Sequence, residues 1–378
     1  MLPRDIFTPE HVAFRESVRR FMEREVAPHH RRWEEQGHVD RACWIAAGAQ
    51  GYLCPTMPEE YGGAGADRLY SVVLIEEQCR IGATGPGFGL HSEIVAPYLL
   101  AYGTEAAKRR YLPAMARGEM IGAIAMTEPG AGSDLQAIRT TVRRDGDGWV
   151  LSGSKTFITN GGQCDLVIVA ARSSPEGGAR GTSLFVVEAG SPGLRKGRVL
   201  EKVGMKAQDT AEIFFDGVRV PAENLLGAEH GGFALLMNEL PWERLQIAIM
   251  AVSAAEAALG WTVDYVRERQ AFGGPLLALQ TVRHRLAEIK TEVQIARVFV
   301  DHCLLLLLGR RLDTATASMA KYWTTDLQCK VMDECLQLHG GNGYMWEYPI
   351  ARAWADARVQ RIYGGANEIM KEVIARAL

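Results

Sequence analysis

Glu243 and Arg244 are a charged pair inside an apolar run. They lie in Leu240-Pro241-Trp242-Glu243-Arg244-Leu245, within a stretch whose apolar spacing otherwise predicts a helix. Pro241 removes a backbone donor and crowds the preceding turn, so a kink is expected there. One reading is a kinked helix carrying a surface ion pair. The other is a carboxylate placed over a cofactor, with the kink making room for it.

Four further segments carry side chains suited to binding. In Ala125-Met126-Thr127-Glu128-Pro129-Gly130-Ala131-Gly132-Ser133-Asp134, a strand end delivers a hydroxyl. A glycine-rich loop then exposes backbone N–H groups that can donate to an anionic or electron-rich ligand. Gly153-Ser154-Lys155-Thr156-Phe157-Ile158-Thr159-Asn160-Gly161 sets an aromatic ring beside a hydroxyl before a sharp Asn-Gly turn. That pair suits the face and edge of a flat heterocycle, and equally ordinary strand packing. Arg267-Glu268-Arg269-Gln270-Ala271-Phe272-Gly273 places arginine next to a glycine turn, which suits a pyrophosphate or a plain surface. In Gln337-Leu338-His339-Gly340-Gly341-Asn342-Gly343-Tyr344, His339 reads as a structural donor, because no second metal ligand sits at helical spacing.

These segments need elements to hold them. Thr8-Pro9 is a helix start, and Phe14, Val18, Phe21 and Val26 mark a buried face up to Pro28. Helices are predicted around Leu69 to Ile81 and from Thr104 toward Leu112, stopping before Pro113. Gly85-Pro86-Gly87-Phe88-Gly89 reads as a turn. The pattern then changes. Ile121 to Thr127, Thr140 to Arg144, Trp149 to Thr159, Asp165 to Arg172, Thr182 to Glu188 and Ala211 to Val220 read as short strands of a small barrel or sandwich. From Gly231 onward the chain is helical. Val282, Leu286, Ile289, Val293, Ala296, Val300 and Cys303 form one stripe facing a bundle. A long helix runs from about Thr314 to a glycine stop at Gly340, another from Ala351 to Ile362, and Asn367 caps a last one.

Composition bounds the class. The 378 residues suffice for two or three domains, and 47% hydrophobic content fills a sizeable core. Net charge is −3, which offers no electrostatic case for nucleic acid or an anionic membrane. Seven cysteines without a CxxC pair speak against a disulfide framework or a zinc site. Met1 to Thr8 shows no signal core, and the longest aliphatic run, Leu304 to Leu308, is too short to span a bilayer. A cytoplasmic, bacterial protein is expected, with a processed mitochondrial form as the alternative.

Taken together and in this order, the motifs resemble the acyl-CoA dehydrogenase family, over about Phe7 to Leu378. Ala125 to Asp134 is similar to its flavin-and-substrate signature and Gln337 to Gly343 to its C-terminal one. Pro86-Gly87-Phe88, Lys206 to Glu212, Leu240 to Leu245 and Tyr363 to Lys371 are most similar to the long-chain branch. The resemblance implies an α+β, mainly α fold: an N-terminal helical domain (1–120), a middle β-barrel domain (121–230) and a C-terminal four-helix bundle (231–378). It implies FAD, a homotetramer built as a dimer of dimers, and electron-transfer flavoprotein as electron acceptor.

By the same resemblance, Met126, Thr127, Gly132, Ser133, Phe157, Ile158 and Thr159 bind the flavin. Arg269, Phe272, Gln280, Gln337, Gly340 and Gly341 bind the part lent to a neighbouring subunit. Ala366, Asn367 and Glu368 complete the flavin contacts, with Ala366 where relatives carry threonine and Phe157 where many carry tryptophan. Ser133, Pro241, Trp242, Arg244, Tyr363, Gly364 and Gly365 line the acyl-CoA site. Most members place the catalytic base immediately after the tyrosine that matches Tyr363. Here that position is Gly364. Long-chain and isovaleryl-type members place it where Glu243 stands, so Glu243 is the expected α-proton base. The Gly364 backbone N–H is then the expected donor to the thioester oxygen, with Arg244 in support. The product is a trans-2-enoyl-CoA from a medium-to-long, or branched, acyl chain. An oxidase or flavin monooxygenase of the same fold is the alternative activity, and a non-catalytic flavoprotein scaffold is the third reading.

Overall fold

A computed structural model of the chain describes residues 2–174 and 179–378. The N-terminal helices are α1 (Pro9–Phe21), α2 (Ala27–Gln36), α3 (Arg41–Ala49) and α4 (Arg68–Arg80). Pro28 does not stop the first run. A π-helical turn at Met22–Val26 widens the coil, and α2 takes the proline in its first turn, where no N–H is needed. Gly37 ends α2 instead, at φ +81°. The segment read as a turn at Gly85–Gly89 is irregular only to Gly87. Phe88 opens α5 (Phe88–Leu90), which runs through a second π-turn, His91–Val95, into α6 (Ala96–Tyr102). Glycines and Pro97 hid this helix from its sequence pattern. α7 (Glu105–Ala116) likewise continues past Pro113, where a stop was expected.

The middle region holds β1 (Gly122–Ala125), β2 (Thr141–Asp145), β3 (Gly148–Thr159), β4 (Leu166–Arg172) and β5 (Thr182–Glu188). It continues with β6 (Leu194–Val199), β7 (Thr210–Val220) and β8 (Leu225–Leu226). They pair as β6-β7-β3-β2-β4-β5-β8, with β1 parallel to β4. β6 escaped the sequence reading because its run Leu-Arg-Lys-Gly-Arg-Val is largely polar. The sheet coils round one core of Val142, Trp149, Leu151, Val167, Val169, Phe185, Ile213 and Phe215. The other face of β4, Leu166, Ile168 and Ala170, packs with Tyr98, Leu99, Tyr111 and Leu112 of α6 and α7. Burial on both faces is why β4 is continuously apolar.

The C-terminal region contains α8 (Gly232–Glu268), a β9–β10 hairpin (Gln270–Ala271, Gly274–Pro275), α9 (Gln280–Leu308) and α10 (Thr314–His339). After these come α11 (Pro349–Ala357) and α12 (Asn367–Ala375). The α9 stripe from Val282 to Cys303 is buried against α8 and α10. α8 is long and apolar enough to cross a membrane, but most of its apolar surface is buried inside this fold. α11 is shorter than expected: a 3₁₀ segment at Arg358–Arg361 leads into the Tyr363–Gly365 turn. The N-cap of α12 is Ala366, not Asn367, whose side chain turns back toward α10.

Candidate active site

α8 passes Pro241 without a break, so the expected kink does not interrupt the helix. The proline costs one backbone donor there. Glu243, two residues on, is 6% exposed, and the Tyr98 hydroxyl on α6 donates to its Oε1 at 3.1 Å. One turn earlier on α8, Glu239 accepts from the Tyr102 hydroxyl at 2.6 Å. Tyr98 and Tyr102 are themselves one turn apart, so two Tyr–Glu rungs cross between the helices. Burial, with the Glu239 charge adding to it, pushes the Glu243 carboxyl from its ordinary 4.5 to about 7. The Tyr98 hydrogen bond and Arg244 oppose that rise.

Arg244 is no surface residue either. It is 5% exposed, its Nη1 donates to Ser318 Oγ on α10 at 3.1 Å, and its Nε meets no acceptor among the described residues. Trp242 is turned into the bundle core with Leu69, Val72 and Leu245, under the Arg68 guanidinium at 4.9 Å. Its ring therefore faces protein rather than an open pocket. Pro241 is half-buried.

The Tyr363–Gly365 turn lies against the same helix. Gly364 and Gly365 have φ of +64° and +95°, conformations that tax any side chain. A Cβ on Gly364 would come within 2.3 Å of Ile247 Cδ1, one turn beyond Glu243. Among the described residues the Gly364 N–H donates to no group. The Gly365 carbonyl accepts from Lys321 Nζ at 2.7 Å. Asn367 is buried, and its side chain is taken up by Lys321, Thr325, Asp326 and the Tyr322 carbonyl, while Glu368 is exposed and Ala366 half-buried. The Asn367 side chain is thus part of an internal joint between α10 and α12. Tyr98 and Lys321 were missed by motif reading. Their only signals are the Tyr98/Tyr102 spacing and a lysine in the helical run from Ser318 to Tyr322.

The glycine-rich loop is braced from behind. Buried Lys155 donates to the Met126 carbonyl (2.9 Å) and to Glu128 Oε1 (2.8 Å). Glu128 in turn accepts from the Arg139 and Thr140 N–H groups. The Thr156 N–H donates to the Thr127 carbonyl at 3.0 Å, which sets the Phe157–Thr159 strand end beside Met126 and Thr127. Phe157 sits at φ +59° and is 66% exposed, whereas Ile158 is buried and Thr159 half-buried. Gly132 and Ser133 are exposed, their N–H groups donate to nothing among the described residues, and a Cβ on Gly132 would meet only open space. An outward aromatic face beside free backbone donors fits an isoalloxazine ring and its polar edge. This loop and the surroundings of Glu243 share one core, since Met126 and Ala131 pack in the cluster that holds Tyr98 of α6 and Leu236 of α8.

The third group stands apart, at the end of the bundle where α8, the β9–β10 hairpin, α9 and α10 meet. Arg269, Gln280, Gln337, Gly340 and Gly341 are exposed, and Phe272 is 91% exposed. His339 lies buried there, stacked on Tyr265 at 4.3 Å and hydrogen-bonded to the Cys335 carbonyl. It is a structural residue.

Three family models match: acyl-CoA dehydrogenase N-terminal domain over residues 8–119, middle domain over 123–218 and C-terminal domain over 230–378. The chain is 56% identical to mouse long-chain specific acyl-CoA dehydrogenase over 377 residues, 99% of this chain and 88% of that one. It superposes on an acyl-CoA dehydrogenase of Geobacillus kaustophilus with a TM-score of 0.97 at 48% identity, covering 99% of both chains. Butyryl-CoA dehydrogenase from Megasphaera elsdenii gives 0.92 at 33% identity, covering 98% of both. The chain belongs to the acyl-CoA dehydrogenase family, and is an oxidoreductase of the FAD-dependent kind.

Proposed function

We propose that this enzyme removes the α-proton of an acyl-CoA thioester with Glu243 and yields a trans-2-enoyl-CoA. The observation that carries the reading is Glu243 itself, a buried carboxyl lifted to about 7, where it is both basic and substantially ionised at neutral pH. The usual family position, Gly364, supplies a free N–H instead. That donor meets the thioester oxygen as negative charge develops and so acidifies the α-carbon. Bound FAD supplies the acceptor for the hydride that leaves the β-carbon. Met126, Thr127, Gly132, Ser133 and Phe157 to Thr159 hold its ring, Arg244 supports the substrate side, and the exposed bundle end serves a neighbouring copy in a homotetramer.

The substrate class is a straight medium-to-long acyl chain. Branching next to the α-carbon is disfavoured, because Ile247 already fills the space that Gly364 leaves. Electron-transfer flavoprotein is the acceptor. The test is anaerobic flavin bleaching by straight and branched acyl-CoAs, in wild type and in Glu243→Gln. Bleaching with straight chains, lost in the variant, is expected. Normal bleaching by Glu243→Gln sinks the assignment, and, in a parallel aerobic turnover assay, oxygen uptake in place of flavoprotein reduction makes the enzyme an oxidase.

A further inference from the structure

Lys321 is out of place. Its side chain is fully buried on α10, yet among the described residues it forms no ion pair with a carboxylate. Nζ donates to the Gly365 carbonyl at 2.7 Å and to Asn367 Oδ1 at 2.9 Å, at the start of α12. A helix N-terminus is the positive end of the peptide dipole, so a cation there is opposed. A second buried cation lies close: Arg244 bonds Ser318, one turn before Lys321 on the same helix. Of the nearby carboxylates, Asp326 is engaged by Arg361 and Asn367, and Glu368 is exposed. Burial first, then Arg244, draws the ammonium down to about 8, so it remains mostly charged at neutral pH. A methionine would fill the same volume without these costs.

A buried charge opposed by burial, a dipole and a like charge is retained where something anionic forms beside it. We propose that Lys321 is a positioning residue for thioester activation: it fixes the Gly364–Gly365 turn through the Gly365 carbonyl and holds positive charge behind the Gly364 N–H. The inference rests on the dehydrogenase reading above. The anion is the thioester enolate, formed when the α-proton passes to Glu243 and its electron pair moves onto the carbonyl oxygen. Lys321 acts on it through the turn without touching it.

The test uses holoenzyme and a 3-thiaacyl-CoA, which loses an α-proton but has no β-hydrogen on carbon to give up. Its enolate beside oxidised flavin produces a long-wavelength absorption band, and the readout is the pH at which half the band forms. Lys321→Met is expected to raise that midpoint by about one unit, a tenfold loss of enolate stabilisation, with FAD content unchanged. Lys321→Arg is expected to recover most of the shift. Where Lys321→Met does not fold, Lys321→Gln keeps a donor without the charge and is expected to move the midpoint the same way. An unmoved midpoint in a folded, flavin-loaded charge-free variant overturns the proposal, and so does weaker probe binding without a shift. No band in wild type overturns the dehydrogenase reading itself.

Discussion

The two ends of the bundle are built on opposite terms. Around Glu243 everything is internal: the carboxyl, Tyr98, Arg244 and Ser318 are buried and bonded within one chain. At the far end Arg269, Phe272, Gln280, Gln337 and Gly340 face outward and bond little of their own chain. Proton abstraction needs a dry, preorganised pocket, and one core can provide it. Holding an extended, charged cofactor needs reach, which the second copy of the proposed homotetramer would supply. The difference predicts that changes at the first end act on chemistry and its pH dependence. Changes at the second act on cofactor retention and assembly.

The largest expected effect is Glu243→Gln, a loss of activity of about 10³-fold or more with FAD still bound. The same substitution should stabilise the flavin-free protein. The Glu243 carboxyl binds its proton more tightly folded, at about 7, than at its ordinary 4.5. Between those values the folded state holds the extra proton, so this group's contribution to stability falls as pH rises through the window and stays low above it. A glutamine has no such loss. Thermal denaturation at pH 8 should therefore favour the variant by up to about 3 kcal/mol, and at pH 4 by almost nothing. A pH-independent difference would contradict the raised carboxyl.

Next comes Gly364→Ala. The methyl meets Ile247 Cδ1 and a left-handed φ, so the Ile247 side chain must move and the turn is strained. About 10- to 100-fold in kcat is expected, because misplacing a donor by about 1 Å costs that much. For the same reason, Glu243→Gly with Gly364→Glu, which moves the base to the usual family position, should stay inert until Ile247→Ala makes room. Recovery in the double variant without that third change would refute the steric argument. At the far end, Arg269→Ala should weaken FAD retention about tenfold and make activity depend on protein concentration. Its acid limb should match wild type, and a shifted limb would erase the contrast between the two ends.

The order of helices, strands and helices was legible because each long element carries a clean period: the α9 stripe is buried residue for residue. Boundaries failed where proline was read as a stop. Pro28 follows a π-turn into a first-turn position, Pro113 is tolerated inside α7, and Pro241, where a kink was expected, is tolerated inside the buried α8. Glu243 stands out as the proposed base only because Gly364 lacks a carboxylate, so that two distant positions explain each other. Tyr98 and Lys321 do not stand out, since their roles come from long-range contacts across 145 and 44 residues that no local motif encodes. Motif position names Trp242 and Asn367 for ligands, and packing also engages the side chains of both internally.

The finest distinction concerns the two rungs at Glu243. Tyr98 donates to Glu243 and so favours its ionised form, whereas Glu239 places a like charge one turn away and disfavours it. Removing each should move the acid limb of kcat/KM in opposite directions. Tyr98→Phe raises the apparent pKa, so activity is lost near pH 6 and kept near pH 8.5. Glu239→Gln lowers it, so activity is gained near pH 6. Each shift should be about half a unit to one unit, the size of one hydrogen bond or one partly screened charge. The Arg244 charge lowers the same carboxyl and so adds to the Tyr98 side, and Arg244→Met should move the limb upward as well. Equal shifts of one sign for Tyr98→Phe and Glu239→Gln would mean that loosened packing between α6 and α8, rather than the local field, sets the basicity of Glu243.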